Sequence, residues 1–178
     1  MALKPQDVYV ALQIVSGGAP RATYAQLAAE LGMSPSEVHA SVKRAQASNL
    51  LHGPALHNRP NLPALEEFLV HGLRYAFPAK RGEPTRGVAT SWAAEPLRSV
   101  IPPGQEPMPV WPHPEGRQRG VSFAPLYKSA PGASLRDPDL YQYLVLVDAL
   151  RDGRVRERKC AERELHRRFQ EADARLHS

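Results

Sequence analysis

Ser34, Ser36, His39, Ala40 and Lys43 recur at helical spacing inside the stretch Thr23–Leu51, and they offer hydroxyl, imidazole, methyl and ammonium groups to one side of a helix. Groups of this kind read DNA. A recognition helix must sink into a major groove about 12 Å wide, where Ala methyls touch thymine methyls and Ser, His or Lys reach base edges. Lys43 and Arg44, together with the N–H groups of Ser34 and the first helical turn, suit phosphates. A solvated helix face tolerates the same residue types, so the choice rests on the elements that carry them.

Those elements are two helices that start eleven residues apart. Thr23 with Gln26, and Ser34 with Glu37, both fit the capping box, in which a hydroxyl caps the third helical N–H and the Glu or Gln reaches back. The first helix carries Leu27, Ala28 and Leu31 and stops at Gly32, which tolerates the left-handed conformation of a helix end. The second opens on Pro35, whose missing N–H costs nothing at the first position. Only Gly32-Met33-Ser34 lies between them, which defines a helix-turn-helix. Val38, Val42 and Ala45 fall on the inner face of the second helix. A preceding helix over Pro5–Val15, with Val8, Ala11, Leu12 and Val15 on one stripe, supports the pair from behind and ends at Ser16-Gly17-Gly18-Ala19-Pro20.

The segments Tyr24-Ala25-Gln26-Leu27-Ala28, Leu31-Gly32-Met33-Ser34, Glu37-Val38, Val42-Lys43-Arg44 and Leu50-Leu51 resemble the core of winged helix-turn-helix bacterial transcriptional regulators, the MarR type in particular. The resemblance spans about residues 5–52. It implies a regulator whose helix 34–48 enters the major groove of double-stranded DNA. After Leu51 the chain offers only His52-Gly53-Pro54-Ala55-Leu56-His57, too short for a long hairpin wing, so a displaced wing is sought further on.

Arg59 is a further DNA-binding candidate. It precedes a fourth helix capped by Asn61, with Leu62, Leu65, Phe68 and Leu69 as its apolar stripe and Gly72 as its end. From Tyr75 to Arg136 the periodicity fails. Short strands are expected at Tyr75–Phe77, Gly87–Thr90, Pro109–Trp111 and Gly120–Phe123, with Trp111 and Phe123 flanking a long-looped hairpin. Within this segment Lys80, Arg81 and Arg86 sit among two glycines and a threonine. That stretch can act as a DNA-backbone clamp, as a small-anion sensor, or as a plain exposed loop. Arg117 and Arg119, between Gly116 and Gly120, can form the tip of a displaced wing.

Regularity returns at Asp137-Pro138-Asp139, which caps a helix bearing Leu140, Tyr143, Leu144, Val147 and Leu150 and ending at Gly153. A last helix, Arg154–Leu176, places Ala161, Leu165, Phe169, Ala172 and Leu176 on a narrow seam suited to a helix-helix contact. The seam either dimerises, binds a partner protein, or covers the chain's own core. Residues 137–178 hold nine Lys plus Arg and nine Asp plus Glu, so the formal charge of +5 comes entirely from residues 1–136. A basic chain favours an anionic partner such as nucleic acid.

The fold class expected is mainly α with a small β component: a helix-turn-helix domain over 1–72, a Pro/Gly-rich middle over 73–136, and a helical dimerisation or partner-binding region over 137–178. Eighteen prolines, about twice ordinary usage, must interrupt regular structure, and eight of them fall between Pro102 and Pro131. The single Cys160 forms neither an internal disulfide nor a multi-cysteine zinc site. No catalytic motif, cofactor fingerprint or metal-ligand cluster stands out, and no apolar run reaches the roughly 18 residues of a membrane span. The expected protein is a cytoplasmic, non-enzymatic, sequence-specific transcriptional regulator, a repressor working as a homodimer without cofactor. An antitoxin-like module that binds a partner protein and an anion- or nucleotide-responsive regulator are the alternatives.

Overall fold

The computed structural model describes residues 1–17, 23–54 and 57–178. Its first helix, α1 (Pro5–Gly17), runs past the expected end at Val15, while Gly18, Ala19 and Pro20 lie outside the described residues. An amphipathic helix buries one stripe, but α1 is buried at every position from Asp7 to Ser16. The cause is in its sequence: Tyr9, Val10 and Ile14 add apolar surface outside the Val8, Ala11, Leu12, Val15 stripe. Two partners cover it, the helix-turn-helix and a helix from the C-terminal segment.

Helices α2 (Tyr24–Leu31) and α3 (Pro35–Ala47) begin with both expected capping boxes. Thr23 Oγ1 accepts from the Gln26 N–H at 3.1 Å, and Ser34 Oγ accepts from the Glu37 N–H at 3.2 Å. Gly32 closes α2 at φ +66°, and a Cβ there would stand 3.1 Å from the Ser129 Cβ. Glycine is thus favoured by both conformation and space. Directly after α3, β1 (Leu51–His52) pairs antiparallel with β2 (Arg59–Pro60). A wing is therefore present where the sequence offered too few residues for a long one. It is short because its connection is only residues 53–58, of which Ala55 and Leu56 lie outside the described residues.

Asn61 caps α4 (Leu62–Glu67) as expected. The helix does not end at Gly72; it passes through a π-helical turn, Phe68–Gly72, into α5 (Leu73–Ala76). Leu65, Leu69 and Leu73 are all buried at a spacing of four, so burial carries the helix through the glycine. Tyr75 and Ala76, expected in a strand, belong to this extension.

Three strands follow: β3 (Arg81–Ala89), β4 (Pro109–Pro112) and β5 (Gln118–Phe123). β3 is antiparallel to both others and β4 runs parallel to β5, so the three close on themselves. Trp111 and Phe123 therefore do not face each other across a hairpin; each strand pairs with a different part of β3. The Lys80–Gly87 stretch is an edge-to-edge paired strand and not a phosphate-cradling loop. Close approach is possible because glycines stand at the junctions. A Cβ on Gly87 would lie 1.9 Å from the Trp111 carbonyl oxygen, and one on Gly120 would lie 2.1 Å from that of Met108.

A short helix, α6 (Ala130–Arg136), leads to α7 (Pro138–Asp152) and α8 (Val155–Leu176). Asp137 caps α7 by accepting the Leu140 N–H at 3.1 Å. α7 lies centrally, buried from Tyr143 to Arg151, and touches α1, α5, α6 and α8. Ala161, Leu165, Phe169 and Ala172 of α8 are buried, and α8 packs on α7 and α4. Of the uses open to that seam, covering the chain's own core is the one realised. Within α7, Asp148 receives Thr90 Oγ1 at 2.7 Å, Trp111 Nε1 at 2.8 Å and Arg151 Nη1 at 2.9 Å. Burial pushes this carboxyl above the usual carboxylate range while the Arg151 charge and these donors pull it down. The knot ties the three-stranded sheet to α7.

Candidate nucleic-acid interface

α3 owes its orientation to what it buries. Val38, Ser41, Val42 and Ala45 face inward, which leaves Ser34, Ser36, His39, Lys43 and Ala47 exposed and Ala40 half-buried among them. His39 is steadied by an edge-to-face contact with Tyr24 of α2, ring centroids 5.1 Å apart. Ser34 is occupied by its cap and lies 3.2 Å from Ser36, oxygen to oxygen. The candidates Ser36, His39, Ala40 and Lys43 thus share one accessible face.

The N-terminus of α3 is clamped from outside the helix-turn-helix. Tyr127, four residues beyond β5, donates its hydroxyl to Glu37 Oε1 at 2.8 Å and stacks on Tyr9 at 5.9 Å. The Ser34 backbone N–H, with Tyr127 and the Ser34 hydroxyl, holds the Glu37 carboxyl down at about 2. Tyr9 and Ser129 both donate to the Leu31 carbonyl, at 2.8 and 2.6 Å, securing the last turn of α2. Burial pushes the Tyr9 hydroxyl up to about 12. Neither Tyr127 nor Ser129 carries a helix-turn-helix signature in sequence; only their aromatic and hydroxyl character beside a strand hinted at a packing role.

Arg44 departs from its expected role. Its Nε donates to Asp7 Oδ2 at 2.8 Å and its Nη2 to Asp7 Oδ1 at 2.8 Å, a bidentate fork onto a fully buried carboxylate of α1. The guanidinium is turned inward and holds α3 to α1, so it is not displayed toward phosphate. Gln46, which drew no notice in sequence, donates to the Gly53 carbonyl at 2.8 Å and to Asn58 Oδ1 at 2.7 Å, fixing the wing to α3. Arg59 is exposed on β2 of that wing, opposite His52.

The remaining basic candidates lie on the three-stranded sheet. Lys80 and Arg81 precede or open β3, where Arg81 is ion-paired with Asp152 at 2.5 Å. Arg86 stands directly across from Arg119 in the β3–β5 register, with Arg117 just before β5. Of the two basic stretches, far apart in sequence, Arg86 and Arg119 are thus brought side by side, while Arg81 lies at the other end of β3 opposite Phe123. Among the described residues no three His, Cys, Asp or Glu side chains gather in a way that could hold a metal, and no helix is long and apolar enough to cross a membrane.

Residues 13–51 match the family model of winged helix-turn-helix DNA-binding domains. The match runs from the second half of α1 through the first residue of the wing, so this part of the chain is a winged helix-turn-helix DNA-binding domain. No curated protein and no solved structure matches the chain.

Proposed function

We propose that the protein is a sequence-specific transcriptional regulator, MarR-like in its reading head and acting as a repressor, that inserts α3 into the major groove of double-stranded DNA. The observation that carries this reading is the exposed face of α3, with Ser36, His39, Ala40 and Lys43 together and a wing bearing Arg59 immediately after it. Ser36, His39 and Lys43 address base edges, Ala40 a thymine methyl, and Arg59 of the wing addresses phosphate.

Lys43 is exposed and makes no ion pair among the described residues, so its removal is harmless to the fold. A duplex selected from a randomised pool by the full chain should bind Lys43→Ala more weakly by about 1–3 kcal/mol, with discrimination relaxed at one position. Undiminished affinity and sequence preference would refute the placement of α3 in the groove.

A homodimer reading two half-sites about one helical turn apart fits a repressor. With the α8 seam engaged by its own chain, the surface best suited to such a contact holds Tyr75, 76% exposed, and Val155, 57% exposed, which border one depression beside α5 and α8. A monomer at micromolar concentration in sedimentation equilibrium would remove the dimer from this reading. The working compartment under this reading is the cytoplasm.

A further inference from the structure

The arginines of the β3–β5 ribbon form a second site. β3 is exposed from Arg81 to Pro84 and passes into the core only at Gly87 and Val88. Gly87 is buried against β4 while its neighbour Arg86 is exposed; Gly120 is half-buried against Met108 while Arg119 is exposed; and Gly116, buried against Gly87, precedes exposed Arg117. Where the strands press together only glycine fits, and each such glycine has an arginine beside it that is directed outward.

Arg86 and Arg119 are register partners, so their Cβ atoms lie roughly 4.5–5.5 Å apart on the same face, and like charges so placed weaken a sheet. Some of the chain's other arginines have carboxylate partners, as Asp7 for Arg44, Asp152 for Arg81, Asp148 for Arg151 and Glu164 for Arg168. Others, such as Arg59 and Arg98, have none among the described residues, but Arg86 and Arg119 are the pair of unpartnered arginines set side by side in a strand register. Among the described residues Arg86, Arg117 and Arg119 have no ion pair. Glu83 and Glu115 are the nearest carboxylates in sequence, and both are exposed without one as well. The ribbon is also held in fixed relation to α3, because β5 leads within a few residues to Tyr127 on Glu37 and Ser129 on Leu31.

We infer that the Arg86–Arg119 pair, with Arg117, is a second contact to the nucleic-acid phosphate backbone, made in the same complex as α3 and extending its footprint beyond the wing. It rests on the DNA-binding reading above and adds to it a sequence-independent anchor. Guanidinium forks match phosphate oxygens, and two on one ribbon face engage neighbouring phosphates of a strand.

Fluorescence anisotropy with a pool-selected 40-base-pair duplex across a potassium chloride series tests this. Each phosphate contact contributes about 0.9 to the slope of log affinity against log salt, so Arg86→Ala/Arg119→Ala should lower the slope by roughly 1.8. Between 50 and 200 mM salt its affinity should then fall about tenfold less steeply than that of the wild type. Sequence preference should survive, and the double variant should melt at or above the wild-type temperature because two opposed charges are gone. Arg86→Gln/Arg119→Gln, which keeps length and polarity, should reproduce the slope change. A wild-type slope in both variants, with the wild type still binding, overturns the second site and leaves α3 untouched. Failure of the wild-type chain to bind any duplex overturns the DNA-binding reading and this inference together.

Discussion

Arg44 shows how one side chain divides between reading DNA and holding the fold. It lies next to Lys43 on α3, yet its Nε and Nη2 are drawn inward by Asp7, which has no exposed surface and, among the described residues, otherwise accepts the Lys4 N–H at 2.8 Å. A buried carboxylate without its cation is costly, so Arg44→Ala should destabilise the chain by about 3–5 kcal/mol in urea denaturation. Arg44→Lys restores charge without the fork and should recover only part of that loss. If Arg44→Ala instead unfolds like the wild type but loses DNA affinity with a reduced salt slope, the guanidinium is a phosphate ligand and the Asp7 pair is dispensable. The contrast with Lys43, one residue earlier and exposed, follows from the 100° step between them on the helix.

At the scale of elements, the helix-turn-helix and its caps were legible because their signals are local: hydroxyl, Glu or Gln three residues on, Gly at φ +66°, Pro at the first position. The wing was not, since two-residue strands have no periodicity to read. α6 was hidden by Pro131 and Gly132, both poor helix formers. The pairing of Arg86 with Arg119 depends on contacts between residues 33 apart in sequence, which spacing alone does not encode. The clamp on the α2–α3 turn is equally non-local, and it makes a testable pH dependence. Tyr9 is buried with its hydroxyl on the Leu31 carbonyl, and its pKa stands at about 12 against an ordinary 10.0. A raised tyrosine pKa means the neutral form is favoured in the fold, so its contribution is complete below pH 10 and is lost as pH rises through 12. Spectrophotometric titration should find late tyrosinate absorbance from Tyr9 and Tyr141, the latter also at about 12. Tyr9→Phe should remove one late proton, and its absence from the titration difference would show that the turn is open to solvent.

Over the whole molecule, the helix-turn-helix, the sheet and the C-terminal helices share one continuous cluster of buried side chains, from Val8 and Val42 through Trp111 to Leu144 and Phe169. The link is α7, which touches α1 on one side, anchors Trp111 through Asp148 and receives α8 on another. α3, carried on α1, is therefore braced by residues about a hundred positions away, and the placement of the helix-turn-helix depends on the C-terminal helices. Leu165 of α8 is fully buried in this cluster, so Leu165→Ala should cost about 2–5 kcal/mol. If the core is one cooperative unit, that loss must appear as an equal shift of a single transition in both helical circular dichroism and tryptophan fluorescence. The chain's other tryptophan, Trp92, lines a depression with Arg156 and Glu157 at the start of α8, so the fluorescence is read in a Trp92→Phe background, where Trp111 alone reports the sheet and is tied to α7 through Asp148. Two transitions, with the dichroism moving and the tryptophan signal staying in place, would mean that the sheet and the reading head stand apart from the C-terminal helices. In that case α3 would have to be held in position by α1, α2, the wing and the Tyr127 clamp, without help from α7.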